Sequence, residues 1–327
     1  TWSRLISWIR ITIVPRKKLK CTQKYLSNYL DTSIQMITTQ LNFIEPKLHG
    51  TPTTVNIANA RHATKTLNLN GFELYAHETA LTTDQFYNDD CVCSRYYEEL
   101  TEALLVQLNG ATQVIPIVHA IRNSSTTFAF DTPTSGGQKT TKRSAEYVPL
   151  VHCDNTRDQG HDMVKNVLAK CNIPMDDTSR YQVINVWRNI RTEPITIWNH
   201  PLAVLDVTTM KLPDDFIQTT TVLPKLDGHK SYHQWYYYDK MTKDEMLVFS
   251  RWDSRCMLDD PDNEGCKDVV NVNGTLKKCG LPTNARGVST FHTAFNNPNP
   301  FTNYLDGYAT PGRESIDTLC VVVYAEA

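Results

Sequence analysis

From Tyr181 to the end of the chain the apolar residues come in short, β-prone runs separated by turn formers: Tyr181–Arg188, Pro201–Asp206, His233–Tyr238, Met246–Phe249 and Ile316–Tyr324. These runs are rich in β-branched and aromatic residues, the types that fit a pleated, half-buried surface. Upstream, Arg95–Leu108 carries apolar residues at helical spacing and stops at Asn109-Gly110, which predicts the best-defined helix. Residues 38–90 read as short extended pieces broken at Gly50, Asn68–Gly71 and Thr82–Asp84. Thr112–Ile121 reads as a strand, Thr132–Arg143 as a surface loop, and Met163–Lys170 as a second helix. No internal repeat or linker divides the chain. The expected architecture is mainly β with some α: a helical and extended N-terminal portion packed on a β-rich C-terminal barrel. Residues 38–327 would form one domain, and residues 1–37 a poorly ordered or helical extension.

Composition narrows the partners. Hydrophobic residues make up 40% and charged residues 21% of the 327, and no run approaches the roughly 20 apolar residues of a membrane-spanning helix. A formal charge of −2 supplies no field to gather phosphate backbones. A small-molecule substrate is expected, with neither nucleic acid nor membrane as partner. The nine cysteines are scattered, without the spacings of a zinc ribbon or a disulfide scaffold. That pattern reads as reduced thiols in a cytoplasmic protein. Two glycosylation tripeptides, Asn123-Ser124-Ser125 and Asn273-Gly274-Thr275, point the other way, but such tripeptides also arise by chance. Thr1–Lys20 intersperses Arg4, Arg10 and Arg16–Lys18 among Trp2, Ile6, Trp8 and Ile9, so it lacks the uninterrupted apolar stretch of a secretory signal.

The chemistry is concentrated in a few residues. In His152-Cys153-Asp154, a strand would turn the imidazole and the carboxylate to one face and the thiol to the other. Alone, the pair is also what a surface histidine beside a helix-capping aspartate looks like. Its context adds to it: Phe291-His292-Thr293 supplies a second histidine between apolar neighbours, and Arg313-Glu314-Ser315 opens the final apolar strand. The other Arg-x-Ser, Arg122-Asn123-Ser124, precedes the His-x-Asp and cannot fill that slot. Two imidazoles and one carboxylate on one face of Fe(II) leave the opposite positions open for a keto acid and O2. The far carboxylate of 2-oxoglutarate then needs a fixed cation, and arginine meets a carboxylate with two parallel N–H bonds. His-x-Asp, a distant His, then Arg-x-Ser is the order found in iron- and 2-oxoglutarate-dependent oxygenases.

Several blocks together resemble a known family. Tyr96–Leu100, Asn109–Ala111, Val151–Asp154, Ile184–Arg188, Pro201–Asp206, His233–Tyr237, Asp244–Phe249, Asp253-Ser254, His292–Phe295 and Arg313–Ile316 are similar, in this order, to the fungal hydroxylase/desaturase family. That family includes a gibberellin desaturase and relatives of the cephamycin-pathway methoxylation protein, and the resemblance covers residues 38–326. It implies a double-stranded β-helix (jelly roll) with supporting N-terminal helices, and secondary-metabolite tailoring by hydroxylation or desaturation. It also implies Fe(II) on His152, Asp154 and His292, and 2-oxoglutarate on Arg313 and Ser315. Arg188 is a further candidate for the cofactor site, with an ion-pair role as the alternative. The family usually has Asp-His near His119, whereas Val118 stands in the acidic place here. Residues 256–288, with Cys266 and Cys279, read as an enlarged loop. His233 and Asp253 are rival ligands, and Asp206, His161 and His200 are weaker ones. Two other readings remain open on sequence: an iron oxidase that does not use 2-oxoglutarate, and a non-catalytic ligand-binding barrel.

Overall fold

The computed structural model describes residues 35–44, 50–123, 144–145, 147–155, 157–175, 179–192, 196–211, 215–217, 225–254, 289–298 and 312–325. The loops expected at 132–143 and 256–288, and most of the 1–37 extension, lie outside the described residues. The described chain opens on strands, not helices: β1 (Met36–Ile44) begins inside the stretch assigned to the extension and pairs with β2 (Gly50–Asn59). Then come helix α1 (Leu67–Asn70), strand β3 (Phe72–Ala76), and helices α2 (Thr83–Phe86), α3 (Asp89–Cys91) and α4 (Tyr97–Gln107). Next are β4 (Ala111–Asn123), β5 (Ser144–Ala145), α5 (Arg157–Lys170), β6 (Tyr181–Asn189) and β7 (Leu202–Leu205). The last strands are β8 (Phe216–Ile217), β9 (Lys225–Leu226), β10 (Trp235–Tyr237), β11 (Glu245–Asp253), β12 (His292–Ala294) and β13 (Glu314–Tyr324). The protein is mainly β with fewer helices.

Two sheets carry the fold. One has the order β1-β2-β10-β7-β12 and the other β3-β11-β6-β13-β4-β5. The longest register is β13 against both β4 and β6, so the final strand lies in the middle of its sheet, buried on both faces. Its Ile316, Cys320 and Val322 meet a stripe on α4, Leu100 and Leu104 with Tyr96 before them, at helical spacing. Each of those buried leucines contributes roughly 1.5–3 kcal/mol. Glu98 and Glu99 sit in the helix's first turn, where they complement the dipole. Gly110, with φ of 82°, makes the left-handed reversal into β4.

Two of the expected turn clusters are short helices. Thr66 caps α1, and Thr82 caps α2 in a reciprocal box with Gln85. Turn formers and helix caps are the same residue types, because both depend on a short side chain that bonds a nearby backbone N–H.

The other face of β6 and β13 is covered near its end by α5, whose Gly160 lies against Trp252. A Cβ there would fall 2.2 Å from the indole Cγ. Alanine gains about 1 kcal/mol of helix propensity, but overpacking costs typically about 1–3 kcal/mol. Gly160→Ala is therefore expected to lower the melting temperature and change the Trp fluorescence. A raised melting temperature would show that Trp252 yields at no cost.

Candidate metal centre

The two sheets face one another across a cavity lined by Val118, Ala120, Arg122, Val148, His152, Asp154, Asn185, Leu202, Arg251, His292, Ala294, Arg313, Asp317 and Leu319, among others. Strand alternation selects them. Arg313, just before β13, and Asp317 and Leu319 on it point in, and β4 sets Ala120 opposite Asp317 and Val118 opposite Leu319. On β6, Asn185 points in opposite Leu319.

His152 and His292 are joined through their backbones. The His152 amide donates to the His292 carbonyl at 3.2 Å, and the His292 amide donates back at 2.9 Å. A reciprocal antiparallel pair sends both side chains to one face, and the rings lie 4.4 Å apart between centroids. The His-x-Asp segment is thus a single bridge at the sheet edge, followed by a bend at Asp154, and not the longer strand expected. The local alternation still holds. Asp154 turns in beside His152, while Cys153 is buried with Trp235, Phe291 and Phe295.

One ligand atom from each of His152, Asp154 and His292 lies within 4.8 Å of the others. His152 Nε2 is 3.6 Å from Asp154 Oδ1, and His292 Nε2 is 3.5 Å from Oδ2. His152 Nδ1 lies 2.6 Å from the Leu150 carbonyl and His292 Nδ1 3.1 Å from the Thr290 carbonyl. A carbonyl can only accept, so each Nδ1 carries the proton and each Nε2 presents its lone pair to the others. Burial, then His152, lowers His292 to about 4, leaving its imidazole neutral. Burial alone would raise the Asp154 carboxyl, but the Arg251 guanidinium foremost outweighs it, and the carboxyl is brought to about 2. Two imidazoles and one carboxylate, with no thiolate, form a donor set suited to a divalent first-row metal with open positions.

Arg313 occupies another part of the cavity. It is 4% exposed, donates from Nε to Ser315 Oγ at 3.0 Å and from Nη1 to the His200 carbonyl at 2.8 Å, and stacks on Trp187. Among the described residues no carboxylate lies within ion-pair distance of it. Burial, with Arg122 nearby, lowers it to about 10, against the pull of Asp317. A buried guanidinium without a counter-ion is a receptor for a carboxylate.

The structure does not bring Arg188 to this cavity, which corrects its assignment to the cofactor site. It lies on the opposite face of β6 from Asn185, with Ile184 and Val186, and its guanidinium donates to the His77 and Lys243 carbonyls. The rival ligands are also engaged elsewhere: His233 with Asp215 at 3.0 Å, Asp253 with Arg180 at 2.6 Å, and Asp206 with Lys65 at 2.7 Å. His161 lies on α5 near Trp252, and His200 meets Arg313 through its carbonyl. His119 turns to the Tyr97 hydroxyl and Asp89. Arg251, Asn185, Arg122 and Asp317 were not expected from sequence. A signal for Asp317 was present, since it continues the spacing of Arg313 and Ser315 along an otherwise apolar strand.

Burial, then the neighbouring Asp154 carboxylate, pushes the Cys153 thiol up, so it stays protonated. Cys153→Ala is expected to leave metal affinity unchanged. It should cost roughly 0.5–1.5 kcal/mol of stability, as for loss of one buried heavy atom. Metal titration and thermal melting of the variant check this, and a loss of metal binding would place the sulfur at the centre.

A family model described as an oxidoreductase/YMDC permease-like domain matches residues 24–264. The hydroxylase/desaturase efuI of Hormonema carpetanum is 25% identical over 86% of each chain. The alpha-ketoglutarate-dependent dioxygenase tstK of Talaromyces stipitatus is 24% identical over 72% of this chain and 88% of its own. Among solved structures, the iron and alpha-ketoglutarate-dependent endoperoxidase NvfI superposes with a TM-score of 0.61 at 19% identity, covering 90% of this chain and 99% of that one. By these matches the chain belongs to that oxidoreductase family, with fungal hydroxylase/desaturases and alpha-ketoglutarate-dependent dioxygenases as its relatives.

Proposed function

We propose that the protein is an iron- and 2-oxoglutarate-dependent dioxygenase of fungal secondary metabolism that hydroxylates or desaturates a small organic molecule. The relatives' activities support this reading, and one observation carries it. His152, Asp154 and His292 converge on one point in the cavity where Arg313 is buried with no carboxylate at ion-pair distance among the described residues. In this reading His152, Asp154 and His292 hold Fe(II), and Arg313 with Ser315 receives the far carboxylate of 2-oxoglutarate. Bound together, these groups supply the oxidising power, as 2-oxoglutarate is decarboxylated to succinate and O2 is reduced.

The protein's own part is to place and to shield. The Leu150 and Thr290 carbonyls hold the two imidazoles in the tautomer that offers Nε2. Val118, Ala120, Leu202 and Leu319 give an apolar wall that excludes water and accepts the hydrocarbon part of a substrate. The buried guanidinium, with no carboxylate at ion-pair distance among the described residues, disfavours the iron oxidase reading, since a site that needs no keto acid has no use for a buried cation.

The two facing sheets, the first of which already includes Met36 and Ile37, support a double-stranded β-helix within a single domain. Among the described residues Cys91, Cys153, Cys171 and Cys320 carry free thiols, which suits a reducing compartment such as the cytoplasm. No helix among the described residues is long and apolar enough to cross a membrane.

The deciding experiment mixes purified protein with Fe(II), ascorbate and 2-oxoglutarate and measures succinate. Slow release without substrate, and a visible charge-transfer band under anaerobic conditions, are expected. Neither signal, in protein shown to be folded, would end the dioxygenase reading.

A further inference from the structure

Strand β11 leaves regular pairing with β6 at one point. Ser250 is opposite Ile184 and Trp252 is opposite Val183, so Arg251 is an extra residue with no partner across the strand. Such bulges re-aim side chains, and they gather next to active sites. Here the bulge lets two consecutive residues serve the same side of the sheet. Trp252 packs with Leu319 in the core beneath α5. Arg251 reaches the side chain of Asn185, which lies opposite that same Leu319. In a regular strand, the two side chains would part to opposite faces.

The bulged arginine is aimed at a single carboxylate oxygen. Its Nε lies 3.3 Å from Asp154 Oδ2 and donates to Asn155 Oδ1 at 2.9 Å, while Nη1 reaches Asn185 Oδ1 at 3.3 Å. The Asn185 amide in turn donates to the same Oδ2 at 3.4 Å. A hydrogen-bond donor on β6 and a guanidinium at ion-pair distance on β11 therefore meet at Oδ2, which also lies 3.5 Å from His292 Nε2, while Oδ1 faces His152.

We propose that Arg251 is a positioning residue for the metal centre: with Asn185 it holds Oδ2 of Asp154, so that the carboxylate meets the metal in one fixed orientation. This rests on the reading of His152, Asp154 and His292 as ligands. Two effects of Arg251 oppose each other, which makes the proposal decidable. As a cation beside a dication's site, it weakens metal binding by repulsion. As a clamp on the carboxylate, it strengthens binding, and losing such outer partners typically costs about 10–100-fold in affinity.

The test titrates metal-free protein with Co(II) alone and records its visible absorption, for the wild type, Arg251→Gln, Arg251→Lys and the control Arg61→Gln. Arg61 pairs with Glu245 at 2.7 Å at the other end of the same strand, away from the cavity. Co(II) affinity is expected to fall about 10–100-fold in Arg251→Gln, with an altered absorption band. Arg251→Lys should fall in between, since lysine keeps the charge without the planar fork. Arg61→Gln should bind as the wild type does. Unchanged or tighter binding in Arg251→Gln, with the folded state confirmed by melting, overturns the proposal. If that variant does not fold, wild-type affinity and band in Arg251→Lys overturn it instead. A wild type that shows no saturable Co(II) binding sinks the metal-centre reading itself, a separate result.

Discussion

Asp154→Ala is expected to abolish metal binding and succinate release, while the metal-free protein melts close to the wild type. The carboxylate is the one anion among the three converging groups, with its oxygens 3.6 Å and 3.5 Å from the two imidazole nitrogens. Removing it leaves a divalent ion two imidazole ligands and no anion, and places it beside an Arg251 whose charge is no longer balanced. Both changes act in the same direction. The fold loses less, because Arg251 keeps its bonds to Asn155 and Asn185 and its side chain is 16% exposed to the cavity. Asp154→Asn separates charge from shape, since it can hold the same contacts without the anion, and it should fail nearly as badly. The checks are a metal titration, a succinate assay and a melting curve for each variant. Metal retained by Asp154→Ala at wild-type affinity would move the centre elsewhere in the chain.

The parts of this site that are legible in sequence are those fixed by strand parity and chain order. His152 and Asp154 share a side because they are two apart, and Arg313 and Ser315 do so for the same reason. Long-range pairing is not legible. Nothing local says that β10 inserts in parallel beside β2, or that a one-residue bridge joins His152 to His292 across the whole C-terminal half. Arg188 shows how parity is misapplied: a charged residue in an apolar strand looks functional, yet its number places it opposite Asn185, and backbone carbonyls satisfy it. Arg251 escapes for the converse reason. Its role depends on a bulge, and a bulge is a break in alternation that the residue types around Phe249–Trp252 do not announce. Asp317 and Arg122 face each other at 3.7 Å in the cavity, and their meeting depends on the β4–β13 register.

Arg313→Leu is expected to weaken 2-oxoglutarate by at least roughly 30-fold while Fe(II) affinity in the metal-free protein stays unchanged. Truncating one partner of a buried, hydrogen-bonded charge pair costs about 2–5 kcal/mol, and each 1.4 kcal/mol is about tenfold in affinity. The metal is unaffected because the guanidinium bonds Ser315 and the His200 carbonyl, not the triad. Lysine at the same position should recover only part of the loss, since it keeps the charge without the planar fork. The stability of the unliganded protein separates function from structure. A cation whose folded pKa is lowered to about 10 from 12.5 destabilises the fold at every pH below that value, because the folded state holds the proton less firmly than the unfolded one. Leucine removes that burden and still packs on Trp187, so the variant should melt no lower than the wild type, and higher if the apolar packing is close. A functional arginine kept at a cost in stability predicts this combination; a structural one predicts a lower melting temperature. Paired titrations of Fe(II), then of 2-oxoglutarate on the iron form, with melting curves beside them, read all three quantities. If 2-oxoglutarate binds the wild type and the leucine variant alike, the co-substrate's carboxylate is held elsewhere and the place given to Arg313 fails.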